Sequence, residues 1–410
     1  MKRSPRLRFA LLALLCGVSA SAAPPRSLPA FPLEPSEAAK TDTAKTSTAK
    51  ASSSKARGAS TLDSALQRAA DRLLRAAKPV QGAAVLIEPK TGKVLTFSAL
   101  GGSSSFEVLT QARLPAASLF KVVTTTALFE TTSLTPQDKV CIRGGTHGIE
   151  RRHLEPARGP GADCGPFAWA LGGSKNAVFA QLATRLLTRE DLVVTAARLG
   201  FNSKLPLDEG ASEAELGRLT VPYNDLEFAR AAAGFTGSSL SPVGAAYLMT
   251  LIARGGEPVG LKLHEPPESD APAPAKAEAA APFSARTAQR LTRMLEVTVE
   301  NGTSRAAFTA PDGKRYLPGI RVAGKTGTLR PSAGSQESMT SWFVGFAPSR
   351  SPEVVVSVML ENGAVYRRKA NEIARDLLRL YFRAHGRAQT VSDPFLDGME
   401  AAVADGAARR

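Results

Sequence analysis

Ser118 and Lys121 are the first residues of this 410-residue chain whose types and spacing could do chemistry. Three residues apart at the start of a helix, a hydroxyl and an amine share one face and lie within hydrogen-bond reach. The amine can act as general base for the hydroxyl if burial or a neighbouring cation keeps it neutral. The same spacing occurs at Ser47–Lys50 and Ser52–Lys55, but no apolar helix follows either pair. Ser118 is therefore the candidate nucleophile and Lys121 its base.

A second candidate motif, Ser174-Lys175-Asn176, stands 56 residues after Ser118 and precedes a predicted helix, Ala177 to Leu187. The hydroxyl of Ser174 could relay a proton, and the amide of Asn176 could hold a substrate carbonyl. Taken alone, the motif would be interpreted as a helix cap.

The third candidate motif is Lys325-Thr326-Gly327-Thr328. A cation and hydroxyls beside an edge strand can fix a substrate carboxylate, and the glycine lets backbone approach closely. A similar pattern at residues 90–92 fits a hairpin turn better. Residues 319–326 also match a phosphate-binding loop, but that site needs a strand before the first glycine and a helix after the last threonine. Because Pro318 precedes the loop and residues 329–334 cannot continue a helix, we favour the carboxylate site.

Hydrophobic periodicity predicts the framework around these motifs. Helical spacing of apolar residues occurs over 62–77, after Ser118, over 284–300 and over 368–384. Short apolar runs typical of strands occupy 83–88, 94–98, 342–347 and 354–360, and a mainly helical middle runs from about 165 to 255. We therefore predict an α/β (α+β) fold: an antiparallel sheet flanked by N- and C-terminal helices, with an inserted all-helical subdomain.

Composition divides the chain into segments. Residues 1–22 have the basic start, apolar stretch and small-residue cleavage site of a signal peptide, and the apolar stretch is shorter than the roughly 20 residues that span a bilayer. A polar tether is predicted over 23–60. The folded domain then covers 61–390, with a helical insertion at about 110–300 and a surface loop at about 265–282, and 391–410 form a tail. We expect an exported, periplasmic or extracytoplasmic protein, with an uncleaved, anchoring N-terminus as the less favoured alternative.

The overall composition excludes two classes of protein. Hydrophobic residues make up 43% of the chain and charged residues 22%, which excludes wholesale disorder and a polytopic membrane protein. The net charge is +15, and residues 1–59 contribute +7 of it. Because much of the basic character lies in this tail, it does not indicate a nucleic-acid-binding surface.

Cys141 and Cys164 are the only thiols left if the signal peptide is removed. Two cysteines in an exported chain are a candidate disulfide, worth roughly 3 kcal/mol in the chain-entropy model. Two free buried thiols are the alternative. His147 and His153 lie between them, but the spacings match no standard zinc pattern, so no metal site is predicted.

Taken in order, the three motifs resemble those of the active-serine penicillin-recognising enzymes, which comprise the penicillin-binding proteins and the serine β-lactamases. The resemblance covers nearly the whole of 61–385 and includes weaker matches at 83–98, 172–187, 240–242, 252–256, 299–303 and 342–348. Each piece is short, so their common order carries the resemblance. It identifies the chain as similar to a penicillin-binding protein transpeptidase domain.

The resemblance implies a serine acyl-enzyme mechanism. Ser118 would attack the carbonyl between the two D-alanines of a peptidoglycan stem peptide, and Lys121 would take its proton. Ser174 would pass a proton towards the leaving amine. The backbone amides of Ser118 and Thr328 would form an oxyanion hole, an effect worth about 3–4 kcal/mol per donor in other enzymes.

The resemblance also implies how the substrate is held. Asn176 would orient the peptide, and Lys325, Thr326 and Thr328 would receive its terminal carboxylate, with Gly327 between the two threonines. The expected partners are peptidoglycan stem peptides, β-lactam antibiotics as covalent inhibitors and, among further candidates, other cell-wall enzymes. No cofactor, metal or nucleic acid is expected.

Three functions remain open at this point. The first is a D,D-transpeptidase or D,D-carboxypeptidase, and the second is a serine β-lactamase. One lactamase class uses Glu-x-x-Leu-Asn to activate water; residues 213–217 come close, but Gly217 stands where asparagine is needed, and we interpret the stretch as the acidic start of a helix. The third is a catalytically silent sensor or scaffold, which the complete set of motif residues disfavours. The acceptor amine and the oligomeric state are left open.

Overall fold

The computed structural model describes residues 58–208, 214–265, 280–329, 338–363 and 367–387. The predicted signal peptide, nearly all of the predicted tether, the tail and most of the predicted loop at 265–282 lie outside these residues, as do Glu213 and the two tract Ser–Lys pairs at 47–50 and 52–55. Their predictions are untested by the structure.

Eleven helices and ten strands are found in the described residues. The helices are α1 (Ser64–Ala77), α2 (Ser105–Thr110), α3 (Phe120–Thr131), α4 (Phe167–Gly172), α5 (Asn176–Leu186), α6 (Arg189–Arg198), α7 (Asp225–Ala232), α8 (Pro242–Ala253), α9 (Ala285–Glu300), α10 (Arg305–Phe308) and α11 (Ala370–Ala384). The strands are β1 (Gln81–Ile87), β2 (Val94–Leu100), β3 (Leu114–Pro115), β4 (Lys139–Ile142), β5 (Asp163–Pro166), β6 (Gly217–Leu219), β7 (Ser238–Leu240), β8 (Ala323–Leu329), β9 (Met339–Ala347) and β10 (Val354–Asn362). A 3₁₀ turn over Ala117–Leu119 leads into α3.

The main sheet has five strands in the order β2-β1-β10-β9-β8, and every neighbouring pair is antiparallel. Both of its faces are covered. In β10, Val354, Val356 and Val358 belong to one core cluster with α1 and α11, whereas Val355 and Met359 belong to the other, with the helical region. This alternation follows from the two-residue period of a strand. A strand buried on both faces is apolar throughout, which is why β9 and β10 are recognisable in the sequence.

Local signals explain α1, one of the helices that flank the sheet. The α1 helix begins where the carboxylate of Asp63 accepts hydrogen bonds from the amides of Ala65 and Leu66, at 2.8 and 2.9 Å, and it ends at Lys78 in a left-handed conformation. Its buried stripe includes Leu66 and Leu73. Such an amphipathic helix is stabilised by burying one face against the sheet.

The fold class is confirmed: an antiparallel sheet flanked by N- and C-terminal helices encloses a largely helical region. The prediction of an all-helical insertion was incomplete, because two small sheets also lie there, with strand orders β3-β7-β6 and β4-β5. Their strands are two to four residues long. A segment this short has too few residues to show a two-residue period, so hydrophobic patterning could not reveal it.

Candidate active site

The candidate nucleophile Ser118 lies in the 3₁₀ turn immediately before α3. The side-chain nitrogen of Lys121, Nζ, lies 2.7 Å from Ser118 Oγ and 2.6 Å from the carbonyl oxygen of Ala233. Ala117, directly before the serine, has a left-handed φ of 49°. A non-glycine residue in that region is uncommon and costs energy, so the surrounding structure must hold the turn in place.

Packing of α3 and α7 holds this turn. All residues of α3 from Phe120 to Phe129 are buried, which fixes the helix in the core. Gly234 follows α7 with φ +85°, and a Cβ atom there would lie 2.1 Å from the carbonyl oxygen of Ala117. Only glycine has both the freedom of φ and the space that this close approach requires. The α7 end therefore presses against the turn and supplies the Ala233 carbonyl to Lys121.

Burial controls the protonation of Lys121. Its side chain is fully buried, and desolvation, followed by the charge of Lys325, holds its pKa well below the ordinary lysine value. A buried amine loses hydration that favours its charged form, and a second cation nearby has the same effect. The neutral amine needed for a general base is thus favoured.

The second motif faces the third across the site. Lys325 Nζ donates a hydrogen bond of 3.0 Å to Ser174 Oγ, and Ser174 itself has a left-handed φ of 54°. Asn176 begins α5, and its Nδ2 donates to the carbonyl oxygen of Thr146 at 2.6 Å. Lys175 turns away, forming an ion pair of 3.1 Å with Asp163. The side chains of Ser174 and Asn176 are therefore held by different segments, Ser174 by Lys325 of the third motif and Asn176 by the Thr146 carbonyl.

The third motif lies on β8, one of the two edge strands of the main sheet. Lys325 is fully buried, and Nζ also donates to the carbonyl oxygen of Thr326 at 2.8 Å. Burial lowers the pKa of Lys325 to about 7. An added Cβ at Gly327 would lie 3.3 Å from Leu119 Cγ and 3.4 Å from the Ala116 carbonyl oxygen. The glycine thus lets the edge strand approach the nucleophile turn.

The motif residues line one cavity of about 360 Å³. Five predicted residues are on its surface: Ser118, Ser174, Asn176, Thr326 and Thr328. Lys121 and Lys325 adjoin it through their hydrogen bonds to the two serines. The structure therefore brings together side chains that are up to 210 positions apart in the sequence. The proposed use of the Ser118 and Thr328 amides as an oxyanion hole stays a prediction.

Sequence reasoning missed several residues of this cavity. Thr303, Met339, Ser341, Trp342 and the α11 start also line it: Lys369, Ala370 and Asn371. Thr303 Oγ1 lies 2.5 Å from Thr326 Oγ1. The stretch 299–303 was recognised as similar to the family, but nothing in it indicated contact with the third motif. Lys369 belongs to no sequence motif at all.

Two sequence-based interpretations concern neighbouring segments. Because β8 continues as a strand through Thr326, the helix that a phosphate-binding loop needs is not there. The prediction that 213–217 begin a helix was wrong: Glu215 forms an isolated bridge and Gly217 begins β6. The Glu215 carboxylate accepts the Ala112 amide at 3.2 Å and pairs with Arg218 at 2.7 Å. Pairing within this β-structure replaces the helix that the acidic residues suggested.

Cys141 and Cys164 form a disulfide between the paired strands β4 and β5. In the part of the chain that the structure describes, no three His, Cys, Asp or Glu side chains are grouped so as to hold a metal ion. Nor does any helix of that part have both the length and the apolar character to cross a membrane.

Comparison with known proteins places this site in a family. Residues 82–379 match the family described as penicillin binding protein transpeptidase domain. The chain belongs to that family. All three motifs lie inside the matched region, and the resemblance on which the sequence prediction was based is confirmed.

Curated relatives of this transpeptidase domain include peptidoglycan D,D-transpeptidase PbpA of Mycobacterium tuberculosis, 28% identical over 337 residues. That match covers 70% of this chain and 63% of the relative, so the chain spans less than two thirds of that protein's length.

Solved structures show the same transpeptidase fold. A crystal structure of a peptidoglycan glycosyltransferase from Burkholderia ambifaria has a TM-score of 0.64 at 23% identity, covering 82% of this chain and 100% of that one. The imipenem acyl-enzyme complex of penicillin-binding protein A from M. tuberculosis has a TM-score of 0.59 at 22% identity, covering 78% and 79% of the two chains.

Proposed function

We propose that this chain is a peptidoglycan D,D-transpeptidase or D,D-carboxypeptidase that works through a serine acyl-enzyme. The observation that carries the proposal is the 2.7 Å contact between Ser118 Oγ and the fully buried amine of Lys121. A nucleophile beside a base with a depressed pKa is the arrangement that acyl transfer requires. The relative named peptidoglycan D,D-transpeptidase supports the same activity.

In the proposed acylation, Ser118 Oγ attacks the carbonyl carbon between the two D-alanines. The hydroxyl proton passes to the neutral amine of Lys121, which becomes an ammonium. The peptide C–N bond then breaks, and the proton held by Lys121 passes through the hydroxyl of Ser174 to the leaving amine of the terminal D-alanine, which returns Lys121 to its neutral form. Because Lys325 Nζ bonds Ser174 Oγ, it orients this relay.

Substrate binding in this proposal uses the edge strand. Lys325, Thr326 and Thr328 receive the terminal carboxylate, and Asn176 orients the peptide from the opposite wall. The Ser118 and Thr328 amides stabilise the oxyanion of the tetrahedral intermediate. Gly327 contributes by allowing the strand to lie close to the nucleophile turn.

The second half-reaction transfers the acyl group to an amine or to water. An amine of a neighbouring stem peptide gives a cross-link, and water gives carboxypeptidation. Among the described residues that line the cavity, none carries a carboxylate that could activate water. Glu215 pairs with Arg218, and both line a different cavity. This arrangement favours a long-lived penicilloyl enzyme over β-lactam hydrolysis.

β-Lactams are proposed to acylate Ser118 in place of the peptide. The M. tuberculosis protein that shares this fold is described as an acyl-enzyme complex with penicillin G. We also propose export to the periplasmic or another extracytoplasmic space, directed by residues 1–22. The disulfide between Cys141 and Cys164 supports an oxidising compartment. Other cell-wall enzymes are candidate partners there.

Labelling with a fluorescent penicillin tests the proposal. The wild-type protein should give a covalent adduct that survives denaturing electrophoresis, and Ser118→Ala should abolish it. Ser203→Ala is the matched control, because Ser203 is exposed and its hydroxyl bonds only the nearby Gly200 carbonyl. Labelling of Ser118→Ala at the wild-type rate would rule out Ser118 as the nucleophile.

Product analysis then separates the activities. A D-Ala-D-Ala peptide incubated with wild-type protein should release D-alanine, and an added acceptor amine should give a new amide product if transpeptidation occurs. A penicilloyl adduct that lasts for hours supports this assignment. Rapid release of hydrolysed penicillin would identify a β-lactamase, and stable acylation without any peptide cleavage would identify a sensor or scaffold.

A further inference from the structure

One exposed cation lines the active-site cavity besides the motif residues. Lys369 is exposed, and it shares the cavity with Thr326 and Thr328 on its sheet side. Within the described chain, no acidic side chain lines this cavity. A pocket with one sign of charge attracts ligand groups of the opposite sign.

The fold places Lys369 beside the third motif. Thr328 on β8 pairs with Ser341 on β9, so their side chains share a face of the sheet. Ser341 Oγ accepts a hydrogen bond of 3.4 Å from the amide of Ala370, the first residue of α11. Lys369, one residue earlier, lines the same cavity as Thr328.

The charged end of Lys369 is available to a ligand. Its backbone amide donates to Glu372 Oε2 at 3.1 Å, and the same carboxylate lies 3.9 Å from Arg368 Nε. Over the described ranges, no carboxylate lies within ion-pair distance of the Lys369 ammonium. Arg368, its neighbour, instead pairs with the buried Asp376. The sequence of α11 thus assigns the nearby acids to other cations.

Asn371 supplies a second, independent sign of an incomplete binding surface. It is 7% exposed and lines the same cavity, and its Nδ2 donates to Ser304 Oγ at 3.2 Å. The other end of its amide has no hydrogen-bond partner. Because Ser304 can accept or donate, the two ends of the amide can also be exchanged, which leaves the N–H as the group without a partner. Buried polar groups are rarely left unsatisfied unless a ligand or water completes them.

The other two lysines at the site are poor permanent charges. Burial and Lys325 depress the pKa of Lys121, and burial lowers the pKa of Lys325 to about 7. At neutral pH, a carboxylate in the cavity is therefore next to a Lys325 side chain that carries only part of a full positive charge. Lys369, in contrast, is exposed to solvent.

We propose that Lys369 is a specificity-determining residue whose ammonium binds the terminal carboxylate of the donor peptide together with the hydroxyls of Thr326 and Thr328. The inference rests on the proposed D,D-acyltransferase function and adds to it a cation outside the three motifs. It predicts that Lys369 makes the enzyme prefer a substrate whose leaving group carries a carboxylate over one whose leaving group is neutral.

A matched pair of thioester substrates tests this role: an N-acyl-D-alanyl ester of thioglycolic acid and the corresponding thioglycolamide, which lacks the charge. Lys369→Gln should lower kcat/KM for the carboxylate substrate by about five- to tenfold and leave the amide within about twofold. Lys369→Arg should retain most of the wild-type rate. Lys90→Gln, which removes an exposed lysine at the opposite end of the main sheet, should leave both substrates unchanged.

Salt provides a further readout that a purely structural role would not give. Raising the ionic strength from about 0.05 M to about 0.5 M should narrow the gap between wild type and Lys369→Gln for the carboxylate substrate only, because salt screens exposed charges. Equal losses on both substrates, or no loss on either, would overturn the assignment. If the wild-type protein reacts with neither thioester nor with penicillin, the proposed function itself fails, and the role of Lys369 fails with it.

Discussion

The two walls of the active-site cavity, the helical wall that carries Ser118 and Lys121 and the sheet wall that carries β8 and Lys369, differ in burial and in hydrogen bonding. On the helical wall, Lys121 is fully buried and uses its hydrogen bonds on Ser118 and on the Ala233 carbonyl. On the sheet wall, β8 is an edge strand, Lys369 is exposed, and one end of the Asn371 amide has no partner. The polar groups of the helical wall are thus buried and hydrogen-bonded within the protein. The sheet wall has an exposed ammonium and an amide group without a hydrogen-bond partner.

This difference matches two different tasks: the helical wall holds the reacting groups, and the sheet wall binds the ligand. A reacting hydroxyl and its base need fixed geometry and a shifted pKa, and both come from burial. A surface that binds a carboxylate needs polar groups that a ligand can reach, and the hydroxyls of Thr326 and Thr328 on the edge strand β8 line the cavity. Lys325 belongs to both walls, because it is buried on the sheet but bonds Ser174 of the helical wall.

The largest effect is expected from Lys121→Met on the helical wall. Methionine fills the buried space but cannot accept the proton of Ser118, so acylation by penicillin should slow by about 10³-fold or more. Stopped-flow measurement of the second-order acylation rate constant gives the value. Lys139→Met, at an exposed site on β4, is the control and should react at the wild-type rate. Retention of more than a tenth of the rate by Lys121→Met would mean that the base lies elsewhere.

Gly234→Ala should disturb the helical wall by displacing the backbone near Ser118. The new methyl group would lie 2.1 Å from the Ala117 carbonyl oxygen, so the turn that carries Ser118 must shift. Because a displacement of about 1 Å can cost about 10²-fold, acylation should fall by roughly that factor.

The control for this substitution is Gly313→Ala. Gly313 has nearly the same positive φ, +83°, but nothing lies within 4 Å of an added Cβ. Both variants pay for the left-handed backbone, and only Gly234→Ala meets a neighbour. If the two variants lose stability and activity alike, backbone strain alone explains the result, and the contact with Ala117 does not position the nucleophile.

Lys325→Met should change how the acylation rate depends on pH. With a pKa of about 7, Lys325 loses its positive charge as the pH rises through neutrality, so carboxylate recognition should weaken there. Wild-type acylation should thus fall on an alkaline limb near pH 7. Lys325→Met should remove the alkaline limb and react about tenfold or more slowly at its optimum. An unchanged alkaline limb would assign it to another group.

The same substitution should raise stability. The folded-state pKa of Lys325 lies below its unfolded value of 10.5, so the unfolded chain binds more protons and folding is penalised at pH 7. This penalty is full below pH 7 and disappears as the pH approaches 10.5. Methionine avoids it, so the free energy of unfolding at pH 7 should increase by ~1–2 kcal/mol in denaturant titration. The gain should shrink at pH 10.

The sequence predicted those parts of the molecule whose signals are local and periodic. The buried stripe of α1 and the continuous apolar runs of β9 and β10 each repeat over several turns or residue pairs, so their type was clear. The motif residues were found because their spacing is short and their order matches a family. Even the decoy at residues 90–92 was distinguished by its turn.

The remaining parts depend on contacts that no local pattern encodes. The Ala233 carbonyl that bonds Lys121 is 112 positions away in the sequence. Every residue has a backbone carbonyl, so the residue type at 233 could not indicate this contact. Lys369 reaches the cavity only because α11 packs behind β9. The acidic stretch around Glu215 suggested a helix, but strand pairing of β6 with β7 determines its structure. Tertiary contacts overrode local propensity there.

The smallest effect is expected on the sheet wall from Thr303→Val. Its hydroxyl lies 2.5 Å from that of Thr326 and helps to fix the rotamer that would meet the carboxylate. Losing one partly exposed hydrogen bond costs about 0.5–1.5 kcal/mol, so kcat/KM for the carboxylate thioester should fall by roughly two- to tenfold. Thr292→Val, which removes a hydroxyl bonded only to the Ala288 carbonyl within α9, should leave the rate unchanged. A loss larger than that of Lys121→Met would contradict the different roles of the two walls, because the Thr303 hydroxyl bonds Thr326 on the sheet wall.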